Sequence, residues 1–438
     1  MKIMKIRIDR SSACGTIQAP PSKSYTHRAI AIAALSDESE ILYPLLSDDT
    51  LATINASRLI GADVAAFGSK SENRLIVKGV PRPEVPDNVI DVLNSGTTLR
   101  FFTAITSLAH GTSVLTGDAS IRTRPNEPLL HALTDLGADV FSTRGDGTAP
   151  IVVRGPLKGG KTRINGSISS QFTSAILIAA PLAEEDTVIA IEGVLKSRPY
   201  VDVTLEVLRS AGITVREDDS GFAIESGQVY RLRKYTVPGD FSSSSYLLAA
   251  GALVGDRAAD QDGTGITVEN LYPSAQGDSA IIRILAEMGA DIVWNQELGK
   301  VTVRKSDLHG ITVDVGKTPD LVPTLAVLGA CASGEMRITN ARHVRYKETD
   351  RLHAMTVELA KMGVAISETD DELLIKGGES EIRGAVLHGW DDHRIVMALA
   401  VAGMVAGGTV IDGAESVAVS YPGFVRDMTR LGASIVEI

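Results

Sequence analysis

A short segment in which an amphipathic helix ends at glycine and the chain enters a strand occurs six times. The copies are LIGADV, DLGADV, SAGITV, EMGADIV, KMGVAI and RLGASIV, and their glycines are 76, 75, 77, 74 and 69 residues apart. Glycine favours the position just past a helix because it adopts the left-handed conformation there. The sequence therefore predicts six copies of one unit, with helices that stop at Gly61, Gly137, Gly212, Gly289, Gly363 and Gly432.

A second helix is predicted in every copy, with a polar cluster at its start and an alanine-rich apolar run after it. The six segments are SKSYTHRAIAIAAL, NSGTTLRFFTAITSLA, SSQFTSAILIAAPLA, FSSSSYLLAAGALV, TPDLVPTLAVLGACA and DDHRIVMALAVAGMVA. Runs typical of strands, such as GTSVLTGD and DTVIAIEG, lie between the helices. Each unit is interpreted as strands plus two helices, one buried and one amphipathic on the outside.

The length of the copies bears on how they are grouped. Copies with a spacing of 69 to 77 residues are long for a solenoid and carry their own strands, which favours compact groups. Pro238 and Gly239 interrupt the pattern after the third copy. We predict two similar α/β lobes of three copies each, with a cleft between them that binds a ligand.

Composition narrows the class of protein. Of the 438 residues, 44% are hydrophobic and 22% charged, as in globular domains. A formal charge of -11 without a basic tract argues against nucleic acid as a partner. The apolar runs are shorter than the roughly 20 residues that span a bilayer, and the N-terminus has no signal-peptide pattern, so we predict a cytoplasmic protein that does not enter a membrane.

Cysteine and metal-ligand patterns are sparse. Cys14 and Cys331 are the two cysteines, too few for a disulfide framework or a cysteine zinc site. The sequence also lacks a cluster of ligand residues or a nucleotide-binding loop. We therefore expect no metal ion and no organic cofactor.

Cations at the predicted helix starts are the main functional signal. N-capping explains the serine, threonine and aspartate residues there, but it does not explain Lys23, Arg28, Arg100 or Arg394. A cation in the first turn opposes the helix dipole by a few tenths to about 1 kcal/mol. A bound anion reverses the sign, because N–H groups and cations then face it together. The pattern favours a substrate with several negative charges.

The amphipathic helices begin with SDDT, IRTRP, KSRPY, KETDR and SYPGF. Two of these starts have ordinary explanations that the residues leave open. Glu348 with Arg351, or Lys347 with Asp350, could be surface pairs three residues apart, and Arg124 before Pro125 could be a plain helix start. Equivalence between the copies favours one shared binding site instead.

Eight motifs together resemble one enzyme family. In chain order they are PPSKSYTHRA, NSGTTLR, IRTRP, SSQF, KSRPY, TPD, KETDRL and DDHR, and they resemble the 5-enolpyruvylshikimate-3-phosphate (EPSP) synthase family. That family joins phosphoenolpyruvate to shikimate 3-phosphate and releases phosphate. The resemblance implies a monomer with an inside-out α/β barrel fold, made of two lobes with three βαβαββ repeats each. It places residues 1–20 with 239–438 in the C-terminal lobe and residues 21–238 in the N-terminal lobe.

The resemblance also implies which residues meet each substrate. The expected contacts of shikimate 3-phosphate are Lys23, Ser24, Arg28, Ser169, Ser170, Gln171, Ser197, Tyr200, Asp320 and Lys347. The expected contacts of phosphoenolpyruvate are Lys23, Gly96, Arg124, Gln171, Arg351 and Arg394.

Three of these residues resemble the family's catalytic groups. Asp320 corresponds to the candidate base that accepts the proton of the 5-hydroxyl of shikimate 3-phosphate. Glu348 corresponds to the candidate acid that protonates C3 of phosphoenolpyruvate, and Lys23 could take part in these proton transfers. For Asp320, helix N-capping beside Pro319 stays open as an alternative.

One residue departs from the family pattern, and three rival assignments fit the motifs less well. Val419 stands where many family members carry lysine. UDP-N-acetylglucosamine enolpyruvyl transferases usually have Lys-Asn in place of Lys23-Ser24 and a cysteine in the loop that here reads GDASIRTRP. RNA 3'-phosphate cyclases would need to bind nucleic acid. A non-catalytic binding protein would be expected to lack Lys23, Asp320 or Glu348, and all three are present.

Overall fold

The computed structural model describes residues 4–68, 73–255, 265–378 and 381–438 of an α/β chain. Two compact units divide it. The continuous unit is Pro21–Pro238, and the split unit combines Met1–Pro20 with Gly239–Ile438.

Twelve α-helices lie in the described ranges, six in each unit. Those of the continuous unit are α1 Lys23–Ala33, α2 Asp48–Leu59, α3 Gly96–Thr106, α4 Glu127–Asp135, α5 Ser170–Ala179 and α6 Arg198–Ser210. Those of the split unit are α7 Phe241–Val254, α8 Ala280–Glu287, α9 Val322–Cys331, α10 Arg351–Lys361, α11 His393–Ala406 and α12 Phe424–Arg430. Short 3-10 helices are Ile121–Thr123, Ala180–Leu182, Gly277–Ser279, Pro319–Leu321, Arg342–Tyr346 and Ala414–Val419.

The predicted alternation of buried and amphipathic helices is confirmed. Odd-numbered helices are almost wholly buried: in α7, every residue but Leu253 is buried. Even-numbered helices bury one face, as in α8, where Ile281, Ile284 and Leu285 are the buried residues. In the split unit α7, α9 and α11 pack against one another, and in the continuous unit α3 packs against α5 and α1.

The six repeated glycines end the even-numbered helices as predicted. Gly61, for example, has φ of 101° and donates its N–H to the carbonyl of Arg58, while Ala62 donates to Ser57. This pair of bonds satisfies carbonyls at the end of α2 and requires a left-handed residue between them. The other five glycines also have positive φ values: Gly137, Gly212, Gly289, Gly363 and Gly432.

The strands of the continuous unit form three four-stranded sheets. In each sheet the first two strands are parallel and the other neighbours are antiparallel. In spatial order the sheets are Lys234–Thr236, Glu38–Leu42, Arg74–Lys78 and Asp63–Phe67; Ile90–Asp91, Thr112–Thr116, Ile151–Arg154 and Asp139–Ser142; Gly160–Asn165, Thr187–Glu192, Gly221–Ile224 and Arg216–Asp218.

The split unit contains three sheets with the same strand order and the same pairing. Two of them take in a strand from the N-terminal segment, which ties that segment to the rest of the unit. In spatial order the sheets are Gly15–Gln18, Ile266–Glu269, Lys300–Arg304 and Asp291–Asn295; Thr312–Asp314, Gly334–Thr339, Leu373–Gly377 and Ala365–Glu368; Val386–Leu387, Thr409–Ile411, Ile6–Asp9 and Ser434–Glu437.

Within the described residues, no helix combines the length and the apolar content needed to cross a membrane.

Candidate active site

Lys23 begins α1 and is paired with a carboxylate. Its Nζ donates to Asp49 Oδ2 of α2 at 2.9 Å, and both side chains are largely buried. His27 Nε2 lies 3.9 Å from the same oxygen, and His27 Nδ1 lies 2.6 Å from Thr53 Oγ1. Burial lowers the pKa of His27, so its ring is neutral at pH 7. Burial opposes ionisation of Asp49, but Lys23 and His27 bring its pKa to about 2.

Gly96 begins α3 between two guanidinium groups. A Cβ added at Gly96 would lie 2.8 Å from Arg100 Nη1 and 3.0 Å from Arg124 Nη1. Arg100 Nη1 donates to Gln171 Oε1 of α5 at 2.6 Å, and Gln171 Nε2 donates to Thr97 Oγ1 at 3.0 Å. The starts of α3 and α5 are therefore joined around one pair of arginines.

Arg124 follows the 3-10 helix Ile121–Thr123 and is 6% exposed. Its Nη2 donates to Asn94 Oδ1 at 2.9 Å and to Ser120 Oγ at 3.0 Å. Both acceptors are neutral, and the two bonds fix the orientation of the guanidinium. Such a group is suited to an anionic ligand.

We expect Gly96→Ala to raise the KM for an anion bound between Arg100 and Arg124 by about tenfold, because a 1 Å displacement in a site costs up to about a hundredfold. The added methyl would push both guanidinium groups aside at the distances given above. Steady-state kinetics with each substrate varied in turn measure the effect. The prediction would be contradicted if, for each substrate, the KM of the variant equalled that of the wild type.

Arg28 is buried and links α1 to α6 through hydrogen bonds. Its Nε donates to Thr204 Oγ1 at 2.7 Å, Nη1 to the carbonyl of Ser24 at 2.8 Å, and Nη2 to the carbonyl of Tyr200 at 2.8 Å. Burial lowers the pKa of Arg28 to about 10, which leaves it charged at pH 7. Arg28 thus fixes the start of α6 against the start of α1.

Serines occupy the residues just before α5 and α6. Ser169 Oγ accepts the N–H of Gln171 at 3.3 Å, while Ser170 is the first residue of α5. Ser197 has φ of 55° and ψ of 33°, a left-handed conformation that costs a non-glycine residue about 1–2 kcal/mol. Tyr200 lies in the first turn of α6 and donates its N–H to the Ser197 carbonyl.

These groups of the continuous unit are called the Lys23 cluster: Lys23, Ser24, Arg28, Asp49, Gly96, Arg100, Arg124, Ser169, Ser170, Gln171, Ser197 and Tyr200.

In the split unit, Arg351 is the first residue of α10 and is 1% exposed. Its guanidinium donates to Asp392 Oδ2 at 2.8 Å, to Asp320 Oδ1 at 2.8 Å and to Glu348 Oε2 at 2.6 Å. Burial alone would lower the pKa of Arg351, but the three carboxylates raise it. This planar cation therefore fixes both predicted catalytic carboxyl groups.

Asp320 joins three cations. Besides the bond to Arg351, its Oδ2 accepts Arg394 Nη2 at 2.8 Å, and its Oδ1 lies 3.7 Å from Lys347 Nζ. Burial lowers the pKa of Lys347, with Asp320 opposing the shift. Asp320 lies within the 3-10 helix Pro319–Leu321 and bonds side chains of α10 and α11, so the alternative that it only caps a helix is wrong.

Asp392 and Asp278 are further carboxyl groups close to Arg394. Asp392 caps α11 by accepting the N–H of Arg394 at 2.8 Å, and it is fully buried. Ser242 Oγ of α7 donates to Asp278 Oδ2. Burial, with the nearby charge of Asp320, raises the pKa of Asp278 to about 7. We call the groups of the split unit the Arg351 cluster: Asp278, Asp320, Lys347, Glu348, Arg351, Asp392 and Arg394.

Two expectations about cations at the helix starts are wrong. Arg28 and Arg100 are the sixth and fifth residues of their helices, beyond the first turn where the dipole acts. The expectation that the cations are unfavourable without a ligand is also wrong for Lys23 and Arg394, which pair with Asp49 and Asp320. A ligand anion at these places competes with carboxylates of the protein.

Sequence reasoning singled out neither Asp49 nor Asp392 nor Asp278 as site residues. A signal for the first two lay in the motifs SDDT and DDHR, where an aspartate stands at a helix start, with a cation beside it in the second motif. Asp278 had no such signal, because it acts from a 3-10 helix just before α8. Glu348 and Arg351 do form the expected i,i+3 pair, but Arg351 is buried, not on the surface.

Among the residues that the structure describes, no group of three or more histidine, cysteine, aspartate or glutamate side chains could hold a metal ion. The chemistry at hand is that of oriented guanidinium, ammonium and carboxyl groups. Oriented guanidinium and ammonium groups in an α/β fold are typical of proteins that bind anionic small molecules.

Comparison with known proteins identifies the family to which the chain belongs. A family model described as EPSP synthase (3-phosphoshikimate 1-carboxyvinyltransferase) matches residues 9–428. A 3-phosphoshikimate 1-carboxyvinyltransferase of Methanococcoides burtonii is 59% identical over 437 residues, covering 99% of both chains. The corresponding protein of Methanosarcina mazei is 58% identical over 439 residues, again covering 99% of both.

A solved structure of EPSP synthase from Acinetobacter baumannii superposes with a TM-score of 0.82 at 28% identity, covering 99% of this chain and 100% of that one. The chain belongs to the EPSP synthase family. The resemblance stated from the motifs is confirmed.

Proposed function

We propose that the Lys23 and Arg351 clusters divide between them the work of 3-phosphoshikimate 1-carboxyvinyl transfer, the activity of this family. The chain is a transferase of the shikimate pathway, which leads through chorismate to the aromatic amino acids. The reaction moves the enolpyruvyl group of phosphoenolpyruvate to the 5-hydroxyl of shikimate 3-phosphate and releases phosphate. The observation that carries the assignment of residues is the concentration of oriented cations at helix starts in both clusters.

Shikimate 3-phosphate is assigned to the serine-rich helix starts and their cations. Ser169, Ser170 and Ser197 offer hydroxyl and backbone donors at the beginnings of α5 and α6, where the helix dipole favours a phosphate. Lys23 and Lys347 supply charge. The remaining proposed contacts of this substrate are Ser24, Arg28, Gln171, Tyr200 and Asp320.

Phosphoenolpyruvate is assigned to the arginines. A planar guanidinium binds carboxylate or phosphate through two parallel bonds, which fixes orientation as well as charge. The proposed contacts are Lys23, Gly96, Arg124, Gln171, Arg351 and Arg394. Because Arg351 and Arg394 already bond Asp320, the incoming carboxylate would draw them away from it.

This exchange gives Asp320 its proposed catalytic role. Once an arginine turns to the ligand, an oxygen of Asp320 is available to accept the proton of the 5-hydroxyl as that oxygen attacks C2. Glu348 is the proposed donor of a proton to C3, and Arg351 orients it through the 2.6 Å bond. Glu348 then takes the proton back from C3 as the C2–O bond to phosphate breaks, and the proton on Asp320 passes to the phosphate or to solvent. Lys23 would balance the charge of the leaving phosphate.

Arg124 offers a direct test of the phosphoenolpyruvate site. We expect Arg124→Ala to lower kcat/KM for phosphoenolpyruvate by two to three powers of ten, because loss of a charge partner from a desolvated site costs about 2–5 kcal/mol. Phosphate release with shikimate 3-phosphate at saturation is the measurement. Arg122→Ala is the matched control, since Arg122 belongs to the same motif but is exposed and donates to the carbonyl of Gly117. Equal losses in the two variants would contradict the assignment.

We predict that the KM for shikimate 3-phosphate depends on pH through Lys347. Its pKa is lowered from 10.5 by burial, so the ammonium group loses its proton before an ordinary lysine does as pH rises. The KM for shikimate 3-phosphate is therefore expected to rise at alkaline pH below 10.5. Lys347→Arg should flatten that rise, because guanidinium stays charged to above about pH 12. An identical pH profile in the variant would exclude Lys347 from this role.

The finer architecture is also a proposal. Every sheet of the described chain has the same order and is accompanied by one buried and one amphipathic helix. This supports six βαβαββ repeats, three per unit, in an inside-out α/β arrangement. We propose further that the protein works in the cytoplasm as a monomer and without a cofactor.

A further inference from the structure

We propose that Glu358 is a positioning residue for the phosphoenolpyruvate side of the site, acting through the loop that leads into α11. This inference rests on the proposed function, because it assumes that Arg394 and Arg351 bind phosphoenolpyruvate. Glu358 lies on α10, seven residues after Arg351 and so two turns along the same face.

Glu358 has no exposed surface, yet its carboxylate makes four bonds. Oε1 accepts Trp390 Nε1 at 2.8 Å, and Oε2 accepts the N–H of His388 at 3.0 Å. Lys361 Nζ donates to Oε1 at 2.9 Å and to Oε2 at 2.7 Å. The carboxylate therefore holds one end of the 388–392 loop while Arg351 holds the other end at Asp392.

The loop between these two anchors has an uncommon backbone. Asp392 donates its N–H to the Gly389 carbonyl at 3.1 Å, closing a four-residue turn. Its two central residues, Trp390 and Asp391, have φ of 55° and 50°. Turns with two consecutive positive φ values normally contain glycine, asparagine or aspartate, and a bulky aromatic residue rarely adopts this conformation. The turn therefore depends on outside contacts.

Glu358 and Asp412 supply such contacts. Asp412 Oδ1 accepts the N–H of Gly389 at 3.1 Å and lies 2.6 Å from His388 Nδ1. The Trp390 ring lies edge-on to that of His353 on α10, with centroids 5.7 Å apart. The last residue of the turn is Asp392, which holds Arg351 and caps the helix of Arg394. Release of Trp390 would let Asp392, and with it both arginines, shift.

The test compares Glu358→Gln with Trp390→Phe, which removes the Nε1–H donor and replaces the indole with a smaller ring. In both variants the KM for phosphoenolpyruvate is expected to rise, by about tenfold in Glu358→Gln, while that for shikimate 3-phosphate stays within about twofold. Glu287→Gln is the matched control, because Glu287 pairs with Arg283 on an exposed helix face. Asp391→Gly alone should have the wild-type KM for phosphoenolpyruvate. Added to Glu358→Gln, it should reverse part of the rise in that KM, because glycine adopts a positive φ without outside contacts.

A purely structural role for Glu358 predicts a different result, in which both KM values change together or only the yield of active protein falls. That result, or an unchanged KM for phosphoenolpyruvate in both Glu358→Gln and Trp390→Phe, overturns the proposal. Trp390 also reports on the turn directly: in a Trp294→Phe background it is the remaining tryptophan, and its emission should shift to the red in Glu358→Gln. Unshifted emission contradicts the inference even if the variant is inactive.

Arg394→Ala separates this inference from the proposed function. If Arg394→Ala raises the KM for phosphoenolpyruvate but Glu358→Gln does not, the positioning role alone fails. If Arg394→Ala has no effect, the assignment of phosphoenolpyruvate to the Arg351 cluster fails.

Discussion

Replacing Arg351 with alanine is expected to destabilise the protein by about 3–5 kcal/mol and to abolish measurable turnover. The guanidinium is 1% exposed and bonds three carboxylates, so its loss leaves Asp392, Asp320 and Glu348 as neighbouring anions with little water around them. Urea unfolding of the variant and of Arg337→Ala measures the first effect. Arg337 is an exposed control that pairs with Glu335 and Glu372 on the surface, where such pairs contribute about 0–1 kcal/mol.

Arg351→Lys refines the same prediction. Lysine keeps the charge but lacks the planar fork that reaches three carboxylates at once. We expect most of the stability to return while kcat/KM stays low. If Arg351→Lys restored both stability and turnover fully, the guanidinium geometry would have no role in catalysis.

Replacing Asp320 with asparagine is expected to lower kcat by about a hundredfold to ten-thousandfold, the usual contribution of a general base. Asparagine preserves size but cannot take a proton from the 5-hydroxyl, and its amide would meet the N–H donors of Arg351 and Arg394. Single-turnover phosphate release at saturating substrates isolates the chemical step.

Asp314→Asn is the control for that experiment. Asp314 is exposed on a nearby strand and accepts the N–H of Gly316 at 2.8 Å, so its amide variant should keep wild-type kcat. If Asp320→Asn changed KM but left kcat unchanged, the residue would only bind substrate.

Much of the fold could be predicted because local chemistry repeats along the chain. Each even-numbered helix stops where glycine permits a left-handed residue, as at Gly61, and each odd-numbered helix has a long apolar run and is buried almost throughout, as in α7. These are properties of short segments. Pairing between distant strands is not a property of short segments. The strand Gly15–Gln18 pairs with Ile266–Glu269, about 250 residues away, and the spacing of residues gives no indication of that partner. The assignment of the N-terminal strand came from family resemblance instead.

The candidate site was predictable in its cations and less so in their partners. Lys23, Arg28, Arg100 and Arg394 stood out because positive charge near a helix start is unusual, and equivalence between the copies added Arg124 and Arg351. Their carboxylate partners did not stand out, since an aspartate such as Asp392 near a helix start is an ordinary N-cap in sequence. Only the fold shows that Asp392 both caps α11 and holds Arg351.

The proposed function depends on Lys23, Arg124, Arg351 and Arg394 binding phosphorylated substrates. A crystal structure with shikimate 3-phosphate and an unreactive analogue of phosphoenolpyruvate tests it most directly. We predict hydrogen-bond distances from the analogue to Arg124, Arg351 and Arg394, with Lys23 beside its phosphate group. Substrates bound at full occupancy elsewhere, with Arg394 still bonded to Asp320 and no contact to Arg124, would contradict it.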